Sequence, residues 1–203
     1  MVKFTKELTW APAVDPLHFD KPAIAGVGLG SSFGRAMAEA NPDVVIALVP
    51  CAVGGTPLLR WQKEGDLYQQ AMTRAHAALK DGVLKGVLWH QGEADSKTET
   101  TARSYGERLA KMVSDLRSEL HADNVPFVAG ELGEFLKRTD AEGNASYWPV
   151  VNEQIDSLPE RVPRSAAVSS KGLTPKSDNV HFDSASLREF GKRYAAALQT
   201  LQK

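Results

Sequence analysis

Gly86-Val87-Leu88-Trp89-His90-Gln91-Gly92-Glu93-Ala94-Asp95 decides the reading of the chain, because an apolar run breaks inside it into a dense polar cluster. Residues 83–89 are too few and too apolar for a surface helix, and Gly82 and Gly92 bound them, so the pattern predicts a buried strand. The polar cluster then lies at the carboxyl end of that strand. In an open parallel α/β sheet, ligands bind in the crevice outside the carboxyl ends of the strands, so His90, Gln91 and Glu93 stand where chemistry is expected. Asp95, followed by Ser96, reads better as the cap of the next helix.

Working outward, Val44-Val45-Ile46-Ala47-Leu48-Val49 is a β-branched run of the kind buried on both sheet faces, and Pro50 ends it. The loop after it, Cys51-Ala52-Val53-Gly54-Gly55-Thr56-Pro57, carries a Gly-Gly pair whose N–H groups can approach a ligand closely. Helical stripes are predicted over 66–79 and 100–120, the second carrying Tyr105, Leu109, Met112, Val113, Leu116 and Leu120. A strand at 125–130 ends on Glu131, a polar loop fills 133–144, and a helix is predicted over 148–158. A short strand follows at 165–169, and Ser186 with Glu189 matches the capping box of a last helix. Residues 1–30 carry three prolines and three glycines with no clear period, so they predict an irregular arm with one short strand near residues 4–10.

Strand and helix alternate from residue 44 to the end, which argues a parallel sheet with helices on both faces. The polar motifs follow successive strands, so four loops converge on one sheet edge.

The 203 residues are expected to form one domain with a sizeable core. The 24 Lys and Arg offset the 25 Asp and Glu to a net charge of −1, which gives no electrostatic case for nucleic acid or an acidic membrane. A single cysteine excludes an internal disulfide. Cys51 is read as a buried structural thiol, since no basic neighbour in sequence lowers its pKa. The opening Met1-Val2-Lys3-Phe4-Thr5 has neither the charged start nor the apolar centre of a signal peptide, which favours the cytosol for the chain as written and leaves a longer form open.

Asp178-Asn179-Val180-His181 precedes the last helix, and a carboxylate three residues ahead of an imidazole can reach Nδ1 and leave Nε2 as a general base. Gln91 offers a side-chain N–H and Gly55 a backbone one, which together suit an oxyanion developing on an ester carbonyl. Two other readings stand beside this one. His90, Glu93, Asp95, Asp178 and His181 are candidate metal ligands of a hydrolase, although no His-Glu-x-x-His helix is present. Trp10, Trp61 and Trp148 are candidate stacking platforms of a sugar-binding domain without catalysis.

Trp89-His90-Gln91-Gly92-Glu93-Ala94-Asp95, the upstream Pro50-Cys51-Ala52-Val53-Gly54-Gly55-Thr56, the segment Asp15-Pro16-Leu17-His18 and the terminal Asp178-Asn179-Val180-His181-Phe182 together resemble the sialate O-acetylesterase and acetylxylan esterase branch of the SGNH hydrolases. The resemblance implies a three-layer flavodoxin-like fold and removal of acetyl groups from carbohydrate by a serine nucleophile, with no cofactor and no metal. It implies His181 as the base, Asp178 as its orienting acid, Gly55 and Gln91 as oxyanion donors, and His90 and Glu93 beside them. The family's serine lies in a Gly-Gln-Ser-Asn block after its first strand, and the chain contains no such block. Counted against the family, these 203 residues are expected to be an N-terminally truncated form that lacks both that serine and the strand between those at 44–49 and 83–89. Gly30-Ser31-Ser32-Phe33-Gly34 fits the Gly-x-Ser-x-Gly elbow, which makes Ser32 the fallback nucleophile, but no buried strand leads into it and Ser32 reads better as a helix cap.

Overall fold

The computed structural model describes residues 1–136 and 146–203. Strands β1 (Val2–Phe4) and β2 (Trp10–Pro12) form an antiparallel hairpin, and β3 (Ala47–Leu48) runs parallel to β1. Strands β4 (Val87–Trp89), β5 (Phe127–Gly130) and β6 (Ser165–Val168) form a parallel ladder in that order. The helices are α1 (Leu29–Ala40), α2 (Asp66–Ala78), α3 (Glu99–Arg103), α4 (Tyr105–Glu119), α5 (Trp148–Asp156), α6 (Leu158–Arg161) and α7 (Ser184–Gln202).

Side chains alternate across a strand, and β5 shows what this does to the core. Phe127 and Ala129 join the cluster that holds Met72 of α2, Leu109 of α4 and Ile155 of α5. Val128 joins the opposite cluster, with Phe33 and Met37 of α1 and Phe190 and Tyr194 of α7. Helices therefore cover both faces, and the expected three-layer α/β architecture holds. On the second face α1 and α7 cross closely, because Gly191 has no side chain where the Leu29 carbonyl, the Phe33 N–H and Ser32 Oγ lie.

The sheet is divided between β3 and β4, where a strand was expected to be lacking. Among the described residues it falls into two three-stranded halves, ordered β2-β1-β3 and β4-β5-β6. The run 44–49 was expected to be buried on both faces, yet only Ala47–Leu48 is strand, and Val44 and Val45 are 58% and 72% exposed. Val83, at the start of the second expected strand, is 77% exposed, and regular pairing begins only at Val87. The physical reason is shared. Each run has a strand on one side only, so its far backbone edge lacks the ladder that would hold the rest extended.

Smaller departures have local causes. The helix expected over 100–120 breaks at Ser104 into α3 and α4. The cap of α7 is Asp183, whose Oδ1 accepts from the Ser186 N–H at 2.8 Å, rather than Ser186 itself. Ser32 lies inside α1, whose N-cap is Gly28, and not at its start. Most of the polar loop expected at 133–144 falls outside the described residues.

Candidate active site

The Asp178–His181 pair is built by a short turn before α7. Asn179 takes a left-handed φ of 52°, which Asn tolerates better than most residues. That turn lets Asp178 Oδ1 accept the N–H groups of Val180 at 2.8 Å and His181 at 2.9 Å. Asp178 Oδ2 then lies 2.8 Å from His181 Nδ1. The backbone N–H of His181, its ring and the N–H of Val180 hold the Asp178 carboxyl well below the usual carboxylate range. It is ionised across the neutral range, and both partners are exposed.

Phe182 links this turn to the β4 end. Its ring lies 5.6 Å from that of His90, and the Phe190 ring of α7 lies 5.4 Å from His90 on an edge-on approach. His90 Nδ1 reaches the Gly130 carbonyl at 3.4 Å, a long contact. His90 is thus an aromatic neighbour of the loop that carries His181.

Gln91 turns the other way. Its Nε2 donates to the Thr56 carbonyl at 3.0 Å and to Asp95 Oδ2 at 2.8 Å, while its Oε1 accepts from Tyr105 Oη at 3.1 Å. Both amide hydrogens expected to face an oxyanion are committed to protein acceptors. Asp95 is 1% exposed and is a buried hub rather than the expected helix cap, since Thr98 caps α3. Its Oδ2 also accepts the Leu58 N–H at 2.8 Å, and its Oδ1 takes Arg108 Nη2 at 2.8 Å. Gln91 and Asp95 together fasten the loop after β3 to the loop after β4.

Within the β3 loop, Gly55 has φ 75°, a conformation that favours glycine. The Gly54 N–H donates to Asp20 Oδ2 at 2.9 Å, and Lys21 Nζ donates to the Gly54 carbonyl at 2.9 Å. Asp20 and Lys21 were not singled out from the sequence, since they sit in an aperiodic arm far from any motif. Nearby in the arm, burial lowers the pKa of His18, whose ring lies against Gly28.

The other candidates have definite places. Glu93 is half-buried beside Gly92. Glu131 Oε2 accepts from Ser169 Oγ and the Ser170 N–H, both at 2.7 Å. Ser32 Oγ donates to the Leu29 carbonyl at 3.1 Å inside α1, against Gly191 of α7. Among the described residues no hydroxyl lies within hydrogen-bond distance of the His181 ring, whose partner is Asp178. Cys51 does have a basic neighbour, Arg74, but burial outweighs it and pushes the thiol pKa up. Among the described residues, no three His, Cys, Asp or Glu side chains are grouped to hold a metal ion, so the five candidate ligands are not assembled. Trp61 is buried and donates to Thr56 Oγ1 at 3.0 Å, and Trp10 packs on Phe4 and donates to Asp81 at 2.8 Å. Trp148, half-buried, packs against the larger core cluster.

The His181 turn thus meets the β4 end through Phe182, and the Gly-Gly loop is tied to the β4 end through Gln91. Residues 1–200 match the family of carbohydrate esterases described as sialic acid-specific acetylesterases. The chain belongs to that family. A probable carbohydrate esterase of Arabidopsis thaliana is 30% identical over 202 residues, 97% of this chain and 74% of the plant protein. The crystal structure of that plant protein superposes with a TM-score of 0.87, covering 98% of this chain and 80% of the other. A carbohydrate acetylesterase from Xanthomonas citri is 25% identical with a TM-score of 0.74, covering 99% of this chain and 48% of the other. The family and these relatives are carbohydrate esterases by description.

Proposed function

We propose that the chain carries the acid–base and oxyanion half of a carbohydrate O-acetylesterase site. The observation that carries this reading is the Asp178–His181 pair at 2.8 Å, in which the carboxylate fixes Nδ1 and leaves Nε2 to take a proton. The Gly55 N–H, in a turn held by Asp20, Lys21 and Gln91, is the donor for the developing oxyanion. Gln91 acts here by positioning that loop, since its own amide is spent on Thr56 and Asp95. The substrate is an acetyl ester on a sugar, of the acetylxylan or sialate type.

A site with a base and an oxyanion donor but no hydroxyl on the base among the described residues should accept an external nucleophile. The test is acetyl transfer from peracetylated xylose and from O-acetyl sialic acid to hydroxylamine, followed as acetohydroxamate. The expected result is transfer above background that is lost in His181→Ala and falls in Asp178→Asn, where the tautomer is no longer fixed. Transfer that is unchanged in His181→Ala overturns the reading. Transfer that a strong chelator abolishes and zinc restores replaces it with a metal-dependent hydrolysis.

A further inference from the structure

We infer that the open cavity between α4 and the segment entering β6 is a binding site for a small organic oxyanion, a carboxylate or a phosphate, at the sheet edge opposite the candidate active site. The inference rests on this cavity and does not depend on the esterase reading.

The cavity has a volume of about 290 Å³ and is lined by Ser114, Arg117 and Ser118 of α4, by Asp123 after that helix, and by Arg161 and Pro163 on the far side. Residues three and four apart share a helix face, so α4 turns both hydroxyls and the guanidinium the same way. Arg117 fixes where the site lies. It is 8% exposed, and its Nε and Nη2 donate to the Val125 carbonyl at 3.1 and 2.8 Å. Nη2 also reaches the Pro163 carbonyl at 2.9 Å. Those carbonyls precede β5 and β6, which puts the cavity at the amino ends of the strands.

Part of this arrangement is structural. Arg117 and Arg161 stand in the last turns of α4 and α6, where cations meet the helix carbonyl ends favourably, and the Nε–Nη2 side of Arg117 ties α4 to the sheet. That role leaves donors over. Nε and Nη2 account for every bond the Arg117 side chain makes among the described residues, so Nη1 has no acceptor there. Arg161 Nη1 donates to Ser157 Oγ at 2.5 Å, and Ser114 and Ser118 are exposed. Charge is unbalanced as well. Burial and the charge of Arg164 pull the Arg117 pKa down, and Asp123 opposes them. Among the described residues, none of Arg117, Arg161 and Arg164 forms an ion pair.

A held guanidinium with N–H groups to spare, faced by a second guanidinium, suits the charge-assisted bonds that carboxylate and phosphate oxygens accept. The serine hydroxyls add neutral donors, and Pro163 offers an apolar surface to the carbon body of the ligand. The volume stands at the small end of ligand sites, so the ligand is about the size of a monosaccharide acid or smaller.

The experiment is two-dimensional NMR of the purified chain, following the amides of residues 114–118 and the Arg117 Nε–H during titration with D-glucuronate, with inorganic phosphate and with neutral D-glucose. Saturable shifts are expected with an anion and none with D-glucose, and the tighter of the two anions identifies which oxyanion the site takes. Arg161→Gln removes an exposed charge and should weaken binding about two- to fivefold, while Asp123→Asn removes the competing carboxylate and should tighten it by a similar factor. Neither change touches the bonds by which Arg117 holds the sheet. Equal shifts with D-glucose, no saturation with either anion, or weaker binding in Asp123→Asn overturns the proposal.

Discussion

Single side chains show how differently placed carboxylates respond to pH and to removal. Asp156 ends α5, and its carboxyl is pushed up to about 6, first by desolvation and then by the charge and hydrogen bonding of Glu131. A carboxyl whose folded pKa exceeds its unfolded value of about 3.9 holds more protons when folded, so it opposes folding increasingly as pH rises from about 4 to about 6. The full difference would be roughly 3 kcal/mol, but the residue is exposed and solvent screening leaves about 1 kcal/mol. Asp156→Asn is therefore expected to match the wild type in stability at pH 4 and to exceed it by about 1 kcal/mol at pH 7, read from thermal melts across that range. A gain equal at both pH values would remove Glu131 from the account. Asp95 is the opposite case, since burial there is matched by donors. Asp95→Ala strands the Leu58 N–H, a Gln91 amide hydrogen and the Arg108 guanidinium, and should cost about 3–5 kcal/mol in urea unfolding. Asp95→Asn, which keeps one acceptor, should recover part of that loss.

At the scale of elements, the crossing of α1 and α7 depends on one missing methyl group. Alanine raises helix propensity over glycine by about 1 kcal/mol, but a Cβ at position 191 falls on the backbone of Leu29 and Phe33, which cannot rotate away. Overpacking of that kind costs about 1–3 kcal/mol, so Gly191→Ala is expected to lower the melting temperature on balance, and a rise would show that the helices separate freely. The same contact explains what the sequence could and could not reveal. The stripes of α2, α4 and α7 were legible because periodicity reports which face is buried. The Asp178–His181 pair was legible because its partners lie three residues apart and meet in one turn. Links that span the chain left no local mark: Asp20 reaches Gly54 across 34 residues, and Leu58 reaches Asp95 across 37. The runs at 44–49 and 83–89 were over-read as strands, since β-branched composition states suitability for burial and not whether a neighbour is there to pair.

For the whole molecule, the division of the sheet and the candidate site lie at the same place, the ends of β3 and β4. In the chain alone His181 holds Asp178 but no hydroxyl among the described residues, and the nearest elbow candidate, Ser32, is bonded to Leu29 within α1. The base then has no proton to remove, so the purified chain is expected to hydrolyse acetyl esters no better than the residual acceleration that oxyanion donors alone provide. A serine-directed fluorophosphonate distinguishes this from a hidden nucleophile, because it reports covalent attachment directly. No mass shift is expected after prolonged incubation, and Ser32→Ala should leave both the mass spectrum and the residual rate unchanged. Stoichiometric labelling at Ser32, with turnover lost in Ser32→Ala, would instead mean that α1 opens to present its serine and that the elbow reading is the correct one.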